Sequence, residues 1–526
     1  MAQASPTMDL ATSRTLVSTN PATLERLGEV PITASADVHA AVARARAAQP
    51  TWAALSFAAR RDCLLRAREY LLQHLDAFAL TITQENGKPL VEALTAELYP
   101  LADLLYYFAH HTATLLRGES LPTGLMRLLG RTSRLTYRPV GVVGIIAPWN
   151  YPFSIPAGSV AMALMAGNSV VLKPSSATPL VGMRVAELFE AAQLPSDVFI
   201  HIPGDATTGQ TLCETRLHKL IFTGSVGVGK KVMAACAQNL IPCVLELGGK
   251  DPMIVRADAD LDFASSGAVW GAFTNAGQCC ASVERVYVHQ AVAERFIELV
   301  VRKTQQLRQG IGTNAAVEIG PLTTAAQLAI VERQVEEARA RGAQILTGGE
   351  RNAAFPGYFY RPTVLTNVDH SFAVMREETF GPLLPIMTFS DDREAVQLAN
   401  DTTFGLTASV WSRDRTAAER MAKRIHAGTV TINDCLYTHA ICQTPWGGSG
   451  ESGFGRTHGK VGLMELVEPH HIHVNTSAPR KDLWWYPYGQ RVYDLFRVMA
   501  RTATGGWWQR LRSLPTLLQS LKLPKS

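Results

Sequence analysis

The sequence predicts an α/β protein with two parallel-sheet domains in succession, and three observations carry that prediction. Short apolar strands alternate with helix-like runs between Val142 and Thr223, the pattern of βαβ crossovers in a parallel sheet. A second alternating block occupies residues 288 to 440. At 526 residues, 47% of them hydrophobic, the chain is too long for one ordinary core and too apolar to be disordered.

Taken in order, Met1 to Asn20 is polar and lacks the apolar core of a secretory leader. With eight cysteines and no C-x-x-C pair, the expectation is a cytoplasmic protein with reduced thiols and no bound metal. Residues 36 to 116 read as helices: Asp37 to Arg46, Ala58 to Leu72, and Leu90 to Leu116, the last two parted by Glu85-Asn-Gly-Lys-Pro89. Residues 117 to 140 are irregular and look like an excursion from the body. Strands are expected at Val142–Ala147, Ser169–Lys173, Val198–Ile202 and Leu220–Thr223. The most apolar run, Ile155 to Leu172, contains Pro156, Gly158, Gly167 and Asn168, so it reads as a buried helix, a turn and a strand rather than a membrane span.

Parallel sheets present ligands at the carboxyl ends of their strands, which directs attention to Pro148–Pro152, Lys173–Ser176, Pro203–Asp205 and Gly224–Lys230. The last fits G-x-x-x-x-G-K, but Lys231 follows where a P-loop needs Ser or Thr, and glycines at 224, 227 and 229 do not make G-x-G-x-x-G. Only a phosphate-facing turn follows from them. A different chemistry is expected at Gly271–Val288. There an apolar helix stops at small residues, presents Cys279 and Cys280, and resumes as an extended segment. Free cysteines usually pack, yet a thiol on a turn between two rigid elements suits a nucleophile. Glu246 stands in an apolar segment, either paired structurally or kept partly neutral for base work.

Pro148-Trp-Asn-Tyr-Pro, Lys173-Pro-Ser, Phe222-Thr-Gly-Ser, Leu245-Glu-Leu-Gly-Gly-Lys, Gly277-Gln-Cys-Cys and Glu378-Thr-Phe-Gly-Pro occur in this order. In that order and spacing the chain, from about residue 18 to about 475, resembles the aldehyde dehydrogenase superfamily. The 34 residues between Glu246 and Cys280 match as well. The resemblance implies two Rossmann-like domains, cofactor-binding (1–117 and 141–247) and catalytic (248–445). It also implies a small β oligomerisation arm (118–140 and 466–476) and a homodimer or homotetramer. It implies Cys280 as nucleophile, Asn150 as oxyanion donor and Glu246 as the base that activates water. Because coenzyme-A-dependent members generally lack that glutamate, a free carboxylic acid is the implied product. NAD or NADP would be held by Trp149, Lys173, Ser225, Glu378 and Phe380. Many NAD-preferring members carry an acidic residue where this chain has Ser176. Serine leaves room for a 2′-phosphate, so NADP is expected to be accepted.

Residues 480 to 526 extend beyond the resemblance. They hold nine basic residues against two acidic ones, +7, which leaves −2 for the rest of a chain whose total is +5. The body therefore has no basic field for nucleic acid. Trp484-Trp-Tyr-Pro-Tyr precedes an expected helix with Val492, Leu495, Phe496 and Met499 on one face and Arg491, Arg497 and Arg501 interspersed. A second stretch carries Trp507, Trp508, Leu511 and Leu514. Such a helical extension suits peripheral membrane contact through 484–514, docking on the enzyme body or a partner subunit, or disorder. Some members of the family acting on fatty aldehydes carry C-terminal membrane anchors, so the membrane reading favours medium- to long-chain aldehydes, with aromatic ones also expected. Two other classes stand beside the dehydrogenase. A thiol esterase side activity would use Cys280 without cofactor, and a catalytically silent membrane-associated scaffold would use none of these residues.

Overall fold

Two sheets organise the body of the molecule. The computed structural model describes residues 14–476, 482, 484–502, 506, 508, 511–512 and 515. Among these, the first sheet has the spatial order Gly453–Phe454, Cys243–Glu246, Lys219–Thr223, Val142–Ile146, Ser169–Lys173, Phe199–His201. It is parallel except for the short 453–454 strand, which runs antiparallel on Glu246 and Leu245. The second sheet runs Gln344–Thr347, Thr363–Thr366, Leu383–Phe389, Val283–His289, Asp251–Val255, Thr407–Trp411, Thr429–Ile432, with only its first strand antiparallel. Strands 142–146, 169–173, 251–255 and 407–411 are buried along their whole length. That is why they read as continuous apolar runs instead of alternating ones.

The apolar run at 155–172 is a helix, Ser154–Ala166, followed by the Ser169–Lys173 strand. Nearly every residue of the helix is buried, and at 13 residues it is about 20 Å long, short of a bilayer core. Gly167 ends it in the left-handed region at φ 95°. Asn168, fully buried, then ties the turn together: Nδ2 donates to the carbonyls of Ala163 and Leu466 and Oδ1 accepts from the Gly141 N–H. No helix among the described residues is long and apolar enough to cross a membrane.

The helical region differs in detail from the sequence expectation. A separate helix, Leu75–Asn86, intervenes after His74, so the Glu85–Pro89 break parts this helix, and not the preceding Phe57–Gln73 helix, from the helical segment that begins at Leu90. The expected 90–116 helix is wound as π over Ala93–Leu98 and as α over Tyr99–Leu115.

Of the described residues, 14–117 and 137–469 belong to one compact unit; 118–136 and those from 470 onward belong to a second. A three-stranded sheet of Val467–Asn475, Arg131–Pro139 and Glu119–Leu121 accounts for the arm segments. Of the extension, the structure describes a helix at Gln490–Thr502. Trp507, Arg510 and Leu514, and the N-terminal residues 1–13, lie outside the described residues.

Candidate active site

A cavity of about 850 Å³ is lined by Trp149, Asn150, Lys173, Ser176, Ser225, Glu246, Cys280, Glu378 and Phe380. These are all nine residues singled out from the sequence, drawn from positions 149 to 380. The two sheets contribute to it from opposite ends. In the first, Lys173 and Glu246 are the last residues of their strands, and Asn150 and Ser225 follow theirs. In the second, Cys280 and Phe380 lie just before strands 283–289 and 383–389. Carboxyl ends of one sheet thus face amino ends of the other across the cavity.

The loop bearing Cys280 is held under strain. Helix Leu261–Phe273, capped by Asp260 accepting from the Phe263 N–H, ends at Thr274, and Asn275, Ala276 and Gly277 then take φ of 50°, 55° and 77° in succession. For the two residues with side chains this costs of order 1–3 kcal/mol each, a cost sustained only where surrounding bonds fix the backbone. Those bonds are present. The Thr274 hydroxyl and the Asn275 N–H both donate to Glu92 at 2.8 Å. Asn275 Nδ2 donates to the Asn150 carbonyl at 2.9 Å, and the Gln278 side chain bridges the Asn275 carbonyl and the Thr323 N–H. A Cβ on Gly277 would lie 2.2 Å from the Gly381 carbonyl oxygen, so only glycine fits. Cys279 is buried while Cys280 is partly exposed to the cavity. The neighbouring Cys279, burial and Glu246 push the Cys280 thiol well above its ordinary range, so it rests protonated.

Glu246 is buried with no ion pair among the described residues, and the Trp446 and Thr457 side chains lie near its carboxylate without forming well-aligned hydrogen bonds. The sequence left structural pairing open; the geometry shows none. Burial pushes its pKa up to about 8, opposed by the nearby Arg456, whose guanidinium is itself bonded to the Gly448 and Gly455 carbonyls. Asn150 donates through Nδ2 to the Gln278 carbonyl at 3.1 Å, which uses one of its two amide hydrogens. Lys173 is buried with no ion pair among the described residues, and burial lowers its pKa to about 8. Ser225 stands at the N-terminus of helix Val226–Gln238, and its hydroxyl makes no capping bond. Glu378 accepts from the Gly249 N–H at 3.2 Å, and burial raises it to about 8. The Trp149 and Phe380 rings meet edge to face at 5.3 Å.

A family model described as "Aldehyde dehydrogenase family" matches residues 9–472. The chain belongs to the aldehyde dehydrogenase family. It is 39% identical over 483 residues to the 4,4'-diapolycopene aldehyde oxidase of a Methylomonas species, covering 92% of this chain and 90% of that one. It is 38% identical over 465 residues to the betaine aldehyde dehydrogenase of Bacillus subtilis, covering 87% and 94%. Among solved structures, an E. coli NADP dependent enzyme superposes with a TM-score of 0.84 at 35% identity, over 88% of this chain and 95% of that one. An NAD+ complex of a Bacillus cereus aldehyde dehydrogenase gives 0.84 at 33%, over 88% and 94%. The protein is an NAD(P)-dependent aldehyde dehydrogenase with a Rossmann-like α/β fold.

The cavity of this aldehyde dehydrogenase fits such a cofactor. A helix N-terminus with a free hydroxyl suits a pyrophosphate, and a buried, unpaired ammonium suits a ribose or phosphate oxygen.

Three supporting groups escaped the sequence reading. Lys88 and Glu97 form a fully buried ion pair at 2.7 Å; Lys88 also donates to the Asn150 carbonyl, and Glu97 accepts from the Phe153 and Ser154 N–H groups. Lys250 and Glu284 pair at 2.6 Å, and Glu284 accepts from the Thr379 and Phe380 N–H groups, holding Phe380 at φ 51°. Glu92 completes the set. The signal available was a charge inside an apolar strand, as in Val283-Glu-Arg-Val-Tyr-Val; nothing local named the partners. Glu92→Ala is expected to lower kcat at least tenfold, because a loosened Cys280 loop loses alignment, while cofactor KM stays nearly unchanged. Steady-state kinetics on both substrates check this, and an equal loss in both parameters would count against it.

Proposed function

We propose that the chain oxidises an aldehyde to a free carboxylic acid through a covalent intermediate on Cys280, with Asn150 as oxyanion donor and Glu246 as the base that activates water. The observation that carries this is the buried carboxylate of Glu246, held in no ion pair among the described residues, sharing one cavity with the loop-held thiol of Cys280. The Cys280 thiol loses its proton to solvent, and the thiolate sulfur adds to the aldehyde carbon, forming the S–C bond as the carbonyl electrons move to oxygen. The oxyanion is met by the free amide hydrogen of Asn150 and by the Cys280 N–H, each such donor worth roughly 3 kcal/mol in the transition state. A nicotinamide held in this cavity would accept the hydride lost from the former aldehyde carbon, which leaves the acyl group on the Cys280 sulfur. Glu246 then takes a proton from water, whose oxygen attacks the acyl carbon; the C–S bond breaks and the acid leaves. Trp149, Lys173, Ser176, Ser225, Glu378 and Phe380 hold the cofactor.

For the aldehyde we propose a medium- to long-chain aliphatic or an aromatic compound. Tyr151, Cys279, Ala281, Leu406 and Trp446 form an apolar cluster against which Cys280, Ile155, Ala96 and Leu436 pack, so the nucleophile sits beside hydrocarbon. The relative named for 4,4'-diapolycopene aldehyde supports the same class. Purified enzyme with a panel of aliphatic and aromatic aldehydes, followed by absorbance of the reduced cofactor, tests both points. Rates should rise with chain length, and an enzyme that turns over no aldehyde with either cofactor would sink the proposal.

Both cofactors are proposed to be accepted, since Ser176 and Lys231 line the cavity with no carboxylate at 176, while Asp205 and Glu214 are the carboxylates elsewhere in this part of the lining. The NADP dependent and NAD+ complexed structural relatives are consistent with either. Ser176→Glu should raise KM for NADP about tenfold through like-charge repulsion, with KM for NAD little moved. A variant that weakens both cofactors equally would remove the assignment.

A homodimer or homotetramer is proposed to form through the arm. Its nine-residue strand Val467–Asn475 lies at a sheet edge and is mostly exposed, a surface that natural proteins ordinarily pair or cover. We also propose a cytoplasmic location with peripheral membrane contact through 484–514.

A further inference from the structure

Among the described residues of the C-terminal extension, most exposed aromatic side chains lie just before or on its helix, and Trp508, 70% exposed, lies beyond it. Just before the helix, Trp485, Tyr486 and Tyr488 are 53%, 76% and 63% exposed, and the Tyr486 and Tyr488 rings lie 4.6 Å apart. Arg131 pairs with Asp482 and lies 5.9 Å from the ring of Trp484, which ties the start of this segment to the arm strand within the same unit. In the helix Gln490–Thr502 the face expected from the sequence is divided. Leu495 is buried with Val492 and Met499 half-buried, whereas Tyr493 (63%) and Phe496 are exposed next to Arg497, which pairs with Asp494 at 3.3 Å. The helix therefore has an inward apolar stripe already covered and an outward aromatic stripe that is not.

We propose that this outward surface, Trp485, Tyr486, Tyr488, Tyr493 and Phe496 with Arg491 and Arg497, binds the headgroup region of an anionic lipid bilayer. This deepens the peripheral-membrane clause of the function proposed above and rests on it. An apolar patch of this kind marks a partner rather than open solvent. Tyr and Trp, with an apolar ring and a polar tip, suit the boundary between hydrocarbon and water. The charge selects the partner's sign, because residues 480–526 carry +7 while the rest of the chain carries −2. At 13 residues the helix is too short to span and lies in the plane of the interface. An aldehyde with a long apolar chain partitions into the same layer, so the enzyme would meet its substrate at the membrane surface.

The test is co-sedimentation of the full-length enzyme with phosphatidylcholine vesicles and with phosphatidylcholine–phosphatidylglycerol vesicles, at low and high salt. Dehydrogenase turnover of a water-soluble aldehyde is measured in the same preparations. Binding is expected only to the anionic vesicles, and salt should weaken it. The double variant Arg491→Ala/Arg497→Ala should lose about tenfold in binding, and Trp485→Ala/Tyr486→Ala at least as much, both with unchanged turnover. Absence of binding to either vesicle overturns the proposal, as does equal binding by the aromatic variant. A change of oligomeric state in that variant would overturn it too, by assigning the patch to a second copy of the chain. An enzyme that binds vesicles but oxidises no aldehyde supports the lipid surface and sinks the catalytic reading, so the two failures are distinguishable.

Discussion

Cys280→Ala is expected to reduce aldehyde oxidation to the uncatalysed background, a loss on the order of 10⁴-fold or more, while cofactor affinity stays within about twofold because binding is carried by other groups. The side chain is small and partly exposed, so its truncation creates no deep core void. Cys279 provides the control. It is buried next to Tyr151 and Ala281 in the apolar cluster, and Cys279→Ala should retain most of the turnover. Steady-state rates and cofactor titration by protein fluorescence, run on both variants, decide between the two thiols. If Cys280→Ala keeps its activity and Cys279→Ala loses it, the nucleophile has been assigned to the wrong neighbour. Cys213, which also lines the cavity, would be next in turn should neither variant lose activity.

The cavity residues were legible in the sequence and their supports were not, because the two are determined at different ranges along the chain. Strands 142–146 and 169–173 are buried on both faces, so composition alone marks them to within a residue. In a parallel sheet, the residues after such strands face ligand. That rule located Asn150, Lys173 and Ser225. It does not reach Cys280 or Phe380, which precede their strands; the break in helical pattern at Gly277 and the family resemblance supplied those. Glu92 acts on Thr274 and Asn275, 182 and 183 residues away, and Lys250 acts with Glu284, 34 residues away. No local period encodes such pairings. The break at His74 was missed for a related reason. The helix before it ends with φ −120° and ψ 22° at a residue type that carries no turn signal, so only the packed structure stops it. In the extension, periodicity placed Phe496 with Leu495 on one apolar face. The fold separates them, because a helix 13 residues long can cover one stripe and leave the next exposed.

Glu246→Gln separates acylation from hydrolysis. Glutamine keeps the volume and the contacts but cannot accept a proton from water, so the thioester on Cys280 should persist. Pre-steady-state mixing is expected to show a burst of reduced cofactor close to one equivalent per active site. Steady turnover afterwards should fall by a factor on the order of 10² to 10⁴, the usual worth of a positioned general base. The wild-type pH profile tests the same assignment from the other side. Burial holds Glu246 protonated until about pH 8, and the neighbouring Cys279, with burial, keeps the Cys280 thiol protonated above its ordinary range. In the proposed mechanism both groups act in the deprotonated form, so turnover should rise with pH through about 8, and the limb belonging to hydrolysis should vanish in Glu246→Gln. Lys173 runs in the opposite sense: lowered to about 8, it loses its charge as pH rises, so cofactor KM should climb over the range in which turnover gains. A profile flat between pH 6 and 9 would mean that neither Glu246 nor Cys280 titrates in the rate-limiting step. A variant with no burst but unchanged slow turnover would place the carboxylate outside the hydrolytic half of the reaction.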